Sequence, residues 1–137
     1  MTQYQLVPQE DEWGCGAACI ASLLDIRYQE AKQLVEKVKG RSINARPCGL
    51  ELHHIAIALQ EKGIKVVADW TQDEIPNGAI VCISGDPPYD GDHYVLKTPH
   101  GWMDPWYNLD KDKVEAKYRK RLPNGTSFLV ALIPVRG

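Results

Sequence analysis

The order of residue patterns along this chain predicts an α+β domain. Three segments with helical periodicity come first, and short segments rich in β-branched residues follow them. The length of 137 residues suits one domain and is sufficient to bury a core, so residues 1–137 are predicted to form a single unit. We therefore expect N-terminal helices packed on an antiparallel β-sheet.

The three predicted helices lie at residues 14–24, 28–39 and 50–62. The first is apolar on all sides, as expected for a buried central helix. The second, YQEAKQLVEKVK, is amphipathic, and Gly40 follows it as a natural end. The third ends at Gly63. After it the periodicity changes, which indicates that the helical part of the chain ends here.

Strands are predicted in the second half of the chain, where apolar and β-branched segments are separated by turn residues. They lie at residues 64–70, 79–84, 93–98, 102–104 and 127–135. The turn Pro99-His100-Gly101 separates the third and fourth of these. Residues 110–120 are charge-rich and fit either a short surface helix or a loop. The loop with Asp86, Asp90 and Asp92 lacks the spacing of a calcium-binding loop and is predicted to be solvated.

Composition excludes several classes of partner. A hydrophobic content of 44% with 25% charged residues is typical of soluble globular proteins. The formal charge of −2 argues against nucleic acid or an anionic membrane surface as the main partner. No apolar stretch approaches the ~20 residues that span a bilayer, and the N-terminus lacks the features of a secretory signal. Cytoplasmic residence is the default expectation; delivery as an effector or as a phage protein is left open.

The chain contains four cysteines, which are Cys15, Cys19, Cys48 and Cys82. A cytosolic chain of this length has no need of disulfides. A zinc site could combine Cys15, Cys19 and Cys48 with a histidine such as His53 or His54, but the chain has no CxxC and no second close Cys/His pair. Cys19 and Cys82 lie in apolar sequence, so we expect small core residues there. No metal and no cofactor are predicted.

Cys15 is the candidate nucleophile because it starts the first predicted helix. A helix N-terminus carries partial positive charge and favours the reactive thiolate. A nucleophilic cysteine also needs a partner base, and His93 starts a predicted strand. If that strand and residues 102–104 form a hairpin, His93 and Asp104 become approximate cross-strand neighbours. Asp104 could then hold one imidazole nitrogen while the other faces the thiol. His100 lies in the turn and is expected to be exposed.

Other side chains near these positions suggest how a substrate would be held. Gln9 precedes Cys15 by six residues and could donate its amide N–H to a developing oxyanion, together with the backbone N–H of Cys15. Trp13, Trp102 and Trp106 are close to the candidate residues in sequence. They could line a substrate groove, or they could pack around the site.

Two segments together resemble the papain-like cysteine peptidases. VPQEDEWGCGAACIASLL and HYVLKTPHGWMDPW are most similar to the C39 group, the bacteriocin-processing peptidase domains. The resemblance implies a papain-like cysteine proteinase fold and a peptide or protein substrate. It assigns catalytic roles to Cys15, His93, Asp104 and Gln9, and likens Trp106 to the tryptophan that shields the His–Asn pair in papain. In the C39 group an Asp usually precedes the cysteine, whereas this chain has Gly14.

The expected activity is hydrolysis of a peptide or isopeptide bond through a thiolate acyl-enzyme. The same groups would also serve an acyltransferase or a deamidase, and residue types do not separate these reactions. A non-catalytic peptide-binding module of the same fold and a zinc-stabilised interaction domain are the alternatives from other classes. The sequence makes no prediction of oligomeric state.

Overall fold

The computed structural model describes residues 3–71, 74–85, 93–110 and 112–135. Within these residues the chain forms three helices and then six strands, which confirms the α+β class. The helices are α1 (Cys15–Leu24), α2 (Tyr28–Lys39) and α3 (Leu52–Glu61). The strands are β1 (Val66–Asp69), β2 (Ile80–Gly85), β3 (His93–Thr98), β4 (Gly101–Asp104), β5 (Lys117–Arg119) and β6 (Thr126–Pro134). The predicted acidic loop with Asp86, Asp90 and Asp92 lies outside the described residues.

The helices follow the expected apolar patterns. Every residue of α1 from Cys15 to Leu23 is buried, as its uniformly apolar sequence requires. In α2 only one face is buried, through Tyr28, Ala31 and Val35. Gly40 ends this helix with a φ of +82°, a left-handed conformation that glycine adopts without steric strain. Helix α1 is therefore the central helix, and α2 covers it from the solvent side.

The six strands form one antiparallel sheet in the order β1-β6-β2-β3-β4-β5. Strand β6 lies between β1 and β2, so these two strands, which follow each other in sequence, do not pair with each other. Strand β5 lies in the charge-rich segment for which a surface helix or a loop is predicted. The helix alternative is wrong, because Lys117–Arg119 pairs with β4.

The core lies mainly between the helices and one face of the sheet. Alternate strand residues such as Ile80, Tyr94 and Leu96 belong to the same buried cluster as α1. The intervening residues, including Val81 and Val95, form a smaller cluster on the other face. Helix α1 packs directly against β3, so the start of α1 can approach the side chains of β3. Among the described residues no helix has the length and apolar character needed to cross a bilayer.

Candidate active site

Cys15 is the first residue of α1 and is 9% exposed. The first backbone N–H groups of a helix have no partner within the helix, so the N–H of Cys15 has no acceptor within α1. The N-cap residue, Gly14, provides no side-chain cap. Cys15 thus combines a thiol with an adjacent backbone donor that the helix does not use.

Glycine is required at position 14 because a side chain has no room there, and not because of the backbone conformation. Its φ of −96° suits any residue, but a Cβ atom at this position would lie only 2.0 Å from the hydroxyl oxygen of Tyr28. The Tyr28 hydroxyl donates a hydrogen bond of 2.7 Å to Asp11. The place next to the cysteine is therefore filled by a tyrosine of α2, so a larger residue at position 14 would require Tyr28 to move.

Asp11 anchors the loop that leads into α1. Its carboxylate accepts hydrogen bonds from Tyr28, from Lys32 at 3.2 Å and from Asn44 at 3.2 Å. Burial by itself raises the pKa of Asp11, but these hydrogen bonds and the charge of Lys32 outweigh it, so the pKa is lowered overall. The loop before Cys15 is consequently tied to α2 and to the segment that follows α2.

His93 lies between Cys15 and Asp104. Its Nε2 atom donates a hydrogen bond of 2.8 Å to Oδ1 of Asp104, and its side chain also hydrogen-bonds that of Cys15. Burial alone lowers the pKa of His93, but the hydrogen bonds and negative charges of these two partners raise the pKa to about 10. The imidazole is therefore held as an imidazolium at neutral pH, in contact with the Cys15 sulfur and the Asp104 carboxylate.

The His93–Asp104 bond runs diagonally between neighbouring strands. Leu96 faces Met103 in the β3–β4 ladder, and one further step of this register would set Asp104 opposite Val95. His93 is thus two residues from the position directly opposite Asp104, on the same side of the ladder. Diagonal neighbours of this kind lie within reach of long side chains. The hairpin prediction brought the correct pair together, although the two residues are not directly opposite.

Asp104 is fully buried, and both of its carboxylate oxygens accept hydrogen bonds. Besides His93, Oδ1 accepts the backbone N–H of Trp106 at 3.0 Å, and Oδ2 accepts Nε of Arg119 at 2.7 Å. Burial by itself raises the pKa of Asp104, but the hydrogen bond and charge of His93, followed by Arg119 and Trp106, lower the pKa overall. The carboxylate is therefore held ionised and cannot rotate without losing a bond.

Arg119 is the site residue that sequence reasoning missed. It lies on β5 in the charge-rich segment, and its side chain is 19% exposed. Its guanidinium stacks on the ring of Tyr107 at 4.3 Å and donates to the Tyr107 backbone carbonyl at 3.2 Å. Nothing local in the sequence marks this arginine, because only the pairing of β5 with β4 brings it to Asp104.

Gln9 is placed beside the site, but its amide hydrogens are engaged. The residue is 3% exposed, and its backbone N–H donates to the Pro105 carbonyl, directly after Asp104. Nε2 donates to the backbone carbonyls of Asp11 and Glu12, both at 3.0 Å. The reverse amide orientation would set Oε1 against these two carbonyl oxygens, which is repulsive. Oε1 itself is buried and has no hydrogen-bond partner among the described residues. An oxyanion-donor role for Gln9 therefore requires one of its two N–H bonds to be shared or released.

The three tryptophans occupy different places. Trp106 is connected to the site through its backbone bond to Asp104, and its indole N–H donates to the Asp110 carbonyl at 3.2 Å. Trp102 packs against the smaller cluster of the sheet, with the Lys97 ammonium 5.3 Å from its ring. Trp13 is half-buried beside Gly49. Of these three tryptophans, Trp106 is the one that hydrogen-bonds a candidate catalytic residue. Trp102 is partly buried because it packs against the smaller cluster.

The other three cysteines lie in different environments. Cys19 is fully buried, and burial together with the charges of Cys15 and Asp104 raises its pKa well above the ordinary value. Cys82 is buried, whereas Cys48 is exposed, and none of the four cysteines forms a disulfide. In the part of the chain that the structure describes, no three His, Cys, Asp or Glu side chains form a group that could hold a metal ion. The zinc-site alternative thus has no ligand cluster there.

Two other histidines lie in the first turn of α3, and a third lies at the surface. Nδ1 of His54 accepts the backbone N–H of Glu51 at 3.0 Å, which forms a capping box at the start of the helix. His53 lies 3.3 Å from the carboxylate of Glu51. His100 is exposed in the β3–β4 turn, as predicted. These positions leave His93 as the histidine in contact with the Cys15 thiol.

A cleft of about 500 Å³ is found away from these residues. It is bordered by Leu24, Ile26, Leu34 and Lys62, among others. Leu24 is the last residue of α1 and Cys15 is the first. Ten helical residues span roughly 15 Å, so this cleft is at the opposite end of α1 from the thiol.

Neither the scan of protein-family models nor the search of curated proteins found a match to this chain.

Proposed function

We propose that this protein is a cysteine hydrolase that cleaves a peptide or other amide bond through a thioester intermediate. The proposal is carried by one observation: Cys15 begins a buried helix and hydrogen-bonds His93, which in turn donates to the buried carboxylate of Asp104. A nucleophile, a base and a group that orients the base are the three components of nucleophilic catalysis by a side chain.

Each step of the proposed reaction uses these groups. The Cys15 sulfur attacks the carbonyl carbon, and the carbonyl electron pair moves to oxygen. The backbone N–H of Cys15 stabilises this oxyanion, with Gln9 as the second candidate donor. The C–N bond then breaks, and the leaving nitrogen takes the proton of the His93 imidazolium. Water gives a proton to His93 as it attacks the thioester, and the thiolate is released with the carboxylic acid product.

The burial of Asp104 supports the role proposed for His93. A carboxylate with donors on both oxygens is fixed in orientation, so it holds the imidazole in one orientation. The raised pKa of His93 keeps the proton that the leaving nitrogen requires. Together with the resemblance of the Gln9–Cys15 and His93–Asp104 segments, these features favour a papain-like fold and a C39-like peptidase as the finer assignment.

Selective alkylation of the four cysteines tests the proposal. At mildly acidic pH we expect iodoacetamide to modify Cys15 on the order of 10-fold or more faster than the other cysteines, because an imidazolium contacts its sulfur. Peptide mapping by mass spectrometry measures each rate. Cys48→Ala is the matched control and should leave the rate of Cys15 modification unchanged, because Cys48 is exposed and its sulfur donates to the Asn44 carbonyl. Equal rates for Cys15 and Cys48 would remove the nucleophile assignment.

Turnover measurements separate the possible reactions of the same thioester. Peptide amides and esters incubated with and without an added amine should give the acid product if the protein is a hydrolase. A dominant amide product would indicate an acyltransferase, and conversion of a glutamine side chain would indicate a deamidase. Fast labelling of Cys15 without turnover of any such substrate would favour a binding module.

A further inference from the structure

Strand β1 is an open edge of the sheet. It pairs with β6 on one side and is the terminal strand in the sheet order. Within the described residues no strand pairs with its outer side. Val67 is 48% exposed, Ala68 is exposed, and Trp70, directly after the strand, is 68% exposed. Apolar side chains at an uncovered edge are an interaction surface by default.

The register with β6 determines which backbone groups point outward. The N–H of Val135 donates to the carbonyl of Lys65, and Val67 lies opposite Ile133 in the same ladder. In an antiparallel ladder the hydrogen-bonding direction alternates from residue to residue. Lys65, Val67 and Asp69 therefore direct their backbone groups to β6. Val66 and Ala68 direct theirs away from the sheet.

We propose that β1 pairs with β1 of a second copy, antiparallel about a two-fold axis at Val67, so that the two sheets become one. In this register the outward N–H and C=O groups of Val66 pair with those of Ala68 of the second copy. Ala68 pairs in the same way with Val66 of the second copy. Four main-chain hydrogen bonds form, and none of them competes with the β1–β6 ladder.

The side chains are self-complementary in this register. Lys65 lies opposite Asp69 of the second copy, and Asp69 opposite Lys65, so two pairs of opposite charge form. Both are non-hydrogen-bonded positions, where side chains are closest. The two known hydrogen bonds of Asp69, from the backbone and hydroxyl of Thr71, use Oδ1, so Oδ2 can accept from lysine. One further step brings exposed Trp70 opposite Ile64.

The charges select this register over its neighbours. A two-fold axis at Val66 would place Lys65 opposite Val67, and an axis at Ala68 would place Asp69 opposite Val67. Both alternatives lose the two opposite-charge pairs. A lone lysine on an edge strand discourages pairing, but an aspartate four residues later neutralises it when the partner strand is a copy of the same strand.

Mass measurement across a concentration series, by analytical ultracentrifugation of the full chain, tests the proposal. We expect a monomer–dimer equilibrium that weakens at high salt. Ala68→Pro should abolish the dimer, because it removes an outward donor and leaves the β6 ladder intact. Lys65→Asp and Asp69→Lys should each raise the dissociation constant on the order of 10-fold or more, because each replaces two attractive pairs by repulsive ones. Lys37→Asp, on α2, is the control with the same change of charge.

Mixing the two charge variants is the decisive measurement. A heterodimer of Lys65→Asp with Asp69→Lys regains two opposite-charge pairs, so the mixture should dimerise more tightly than either variant alone. Far-ultraviolet circular dichroism shows whether each variant remains folded. A wild-type monomer at every concentration overturns the proposal. A dimer that Ala68→Pro and Lys65→Asp leave unchanged, or charge variants that do not recover on mixing, also overturn it.

Discussion

Nε2 of His93 and Oδ1 of Asp104 lie 2.8 Å apart, joined diagonally across two neighbouring strands. The bond is buried: the His93 side chain is 7% exposed and that of Asp104 is not exposed at all. Screening by water is weak in such a place, so each partner strongly affects the protonation of the other. Most of the expected pH dependence of this protein follows from this pair.

The first prediction concerns the protonation of His93. Its pKa in the folded protein is about 10, against an ordinary value of 6.5. A group whose pKa is raised on folding contributes stability that is complete below the unfolded pKa. We therefore expect this contribution to the free energy of unfolding to be full below about pH 6.5 and to be lost as the pH rises towards 10. Urea unfolding at a series of pH values should decline less in His93→Gln than in the wild type over this range.

Nuclear magnetic resonance of the imidazole nitrogens measures the same pKa directly. Cys15→Ala should lower the pKa of His93, because it removes the hydrogen bond and the negative charge of the sulfur. A His93 ring that titrates near 6.5 in the folded wild-type protein would contradict an ion pair between the His93 imidazolium and the Asp104 carboxylate.

The second prediction compares Asp104→Asn with His93→Ala. Asparagine retains an oxygen that can accept from His93, so turnover should fall less than in His93→Ala, which loses the proton carrier itself. Steady-state hydrolysis of a peptide ester, with Cys15 labelling in parallel, measures both. An Asp104→Asn variant as inactive as His93→Ala would mean that the carboxylate charge, and not only its position, is required.

The third prediction assigns a positioning role to Arg119. Its hydrogen bond helps to lower the pKa of Asp104, so Arg119→Gln should raise that pKa. A lowered carboxyl pKa contributes stability above the unfolded value of 3.8 that is lost as the pH falls through the folded pKa. Acid unfolding of Arg119→Gln should therefore begin at a higher pH, and Arg119→Lys should shift less. Lys117 is an exposed residue on the same strand, so Lys117→Gln is the control. It should leave the pH at which acid unfolding begins unchanged.

The fourth prediction tests Gln9 in two independent ways. If Gln9 donates to the oxyanion, Gln9→Ala should reduce amide turnover on the order of 100-fold while Cys15 alkylation stays almost intact, because alkylation builds no oxyanion. The same change removes two partly buried hydrogen bonds, to the backbone carbonyls of Asp11 and Glu12. This loss should reduce the free energy of unfolding by about 1–3 kcal/mol. Lower stability with wild-type turnover would show that Gln9 only anchors the loop.

The fifth prediction concerns the contact of Gly14 with Tyr28. Gly14→Ala places a methyl group 2.0 Å from the Tyr28 hydroxyl, so we expect a loss of about 1–3 kcal/mol in the free energy of unfolding and slower labelling of Cys15. Tyr28→Phe removes that oxygen. The double variant should therefore lose less stability than the sum of the two single changes, as measured by urea unfolding. Strict additivity would contradict the predicted clash.

Local patterns determined much of this protein. The apolar run from Cys15 to Leu24, the amphipathic segment that ends at Gly40 and the β-branched segments of the second half predicted the three helices and five of the six described strands. Hydrophobic periodicity and glycine positions act within a few residues, so they can be read without knowledge of the fold. The placement of Cys15 at a helix start is of this local kind.

Tertiary structure alone decided the environment of those residues. Arg119 reaches Asp104 only because the short strand β5, hidden in a charge-rich segment, pairs with β4. Tyr28 fills the space beside Gly14 only because α2 packs against the loop before α1. The backbone N–H of Gln9 is bound by the carbonyl of Pro105, which is distant in sequence. Strand order and side-chain direction depend on pairings between distant parts of the chain. No local pattern of residue types contains that information, because the free energy that stabilises these pairings comes from contacts that exist only after the chain has folded.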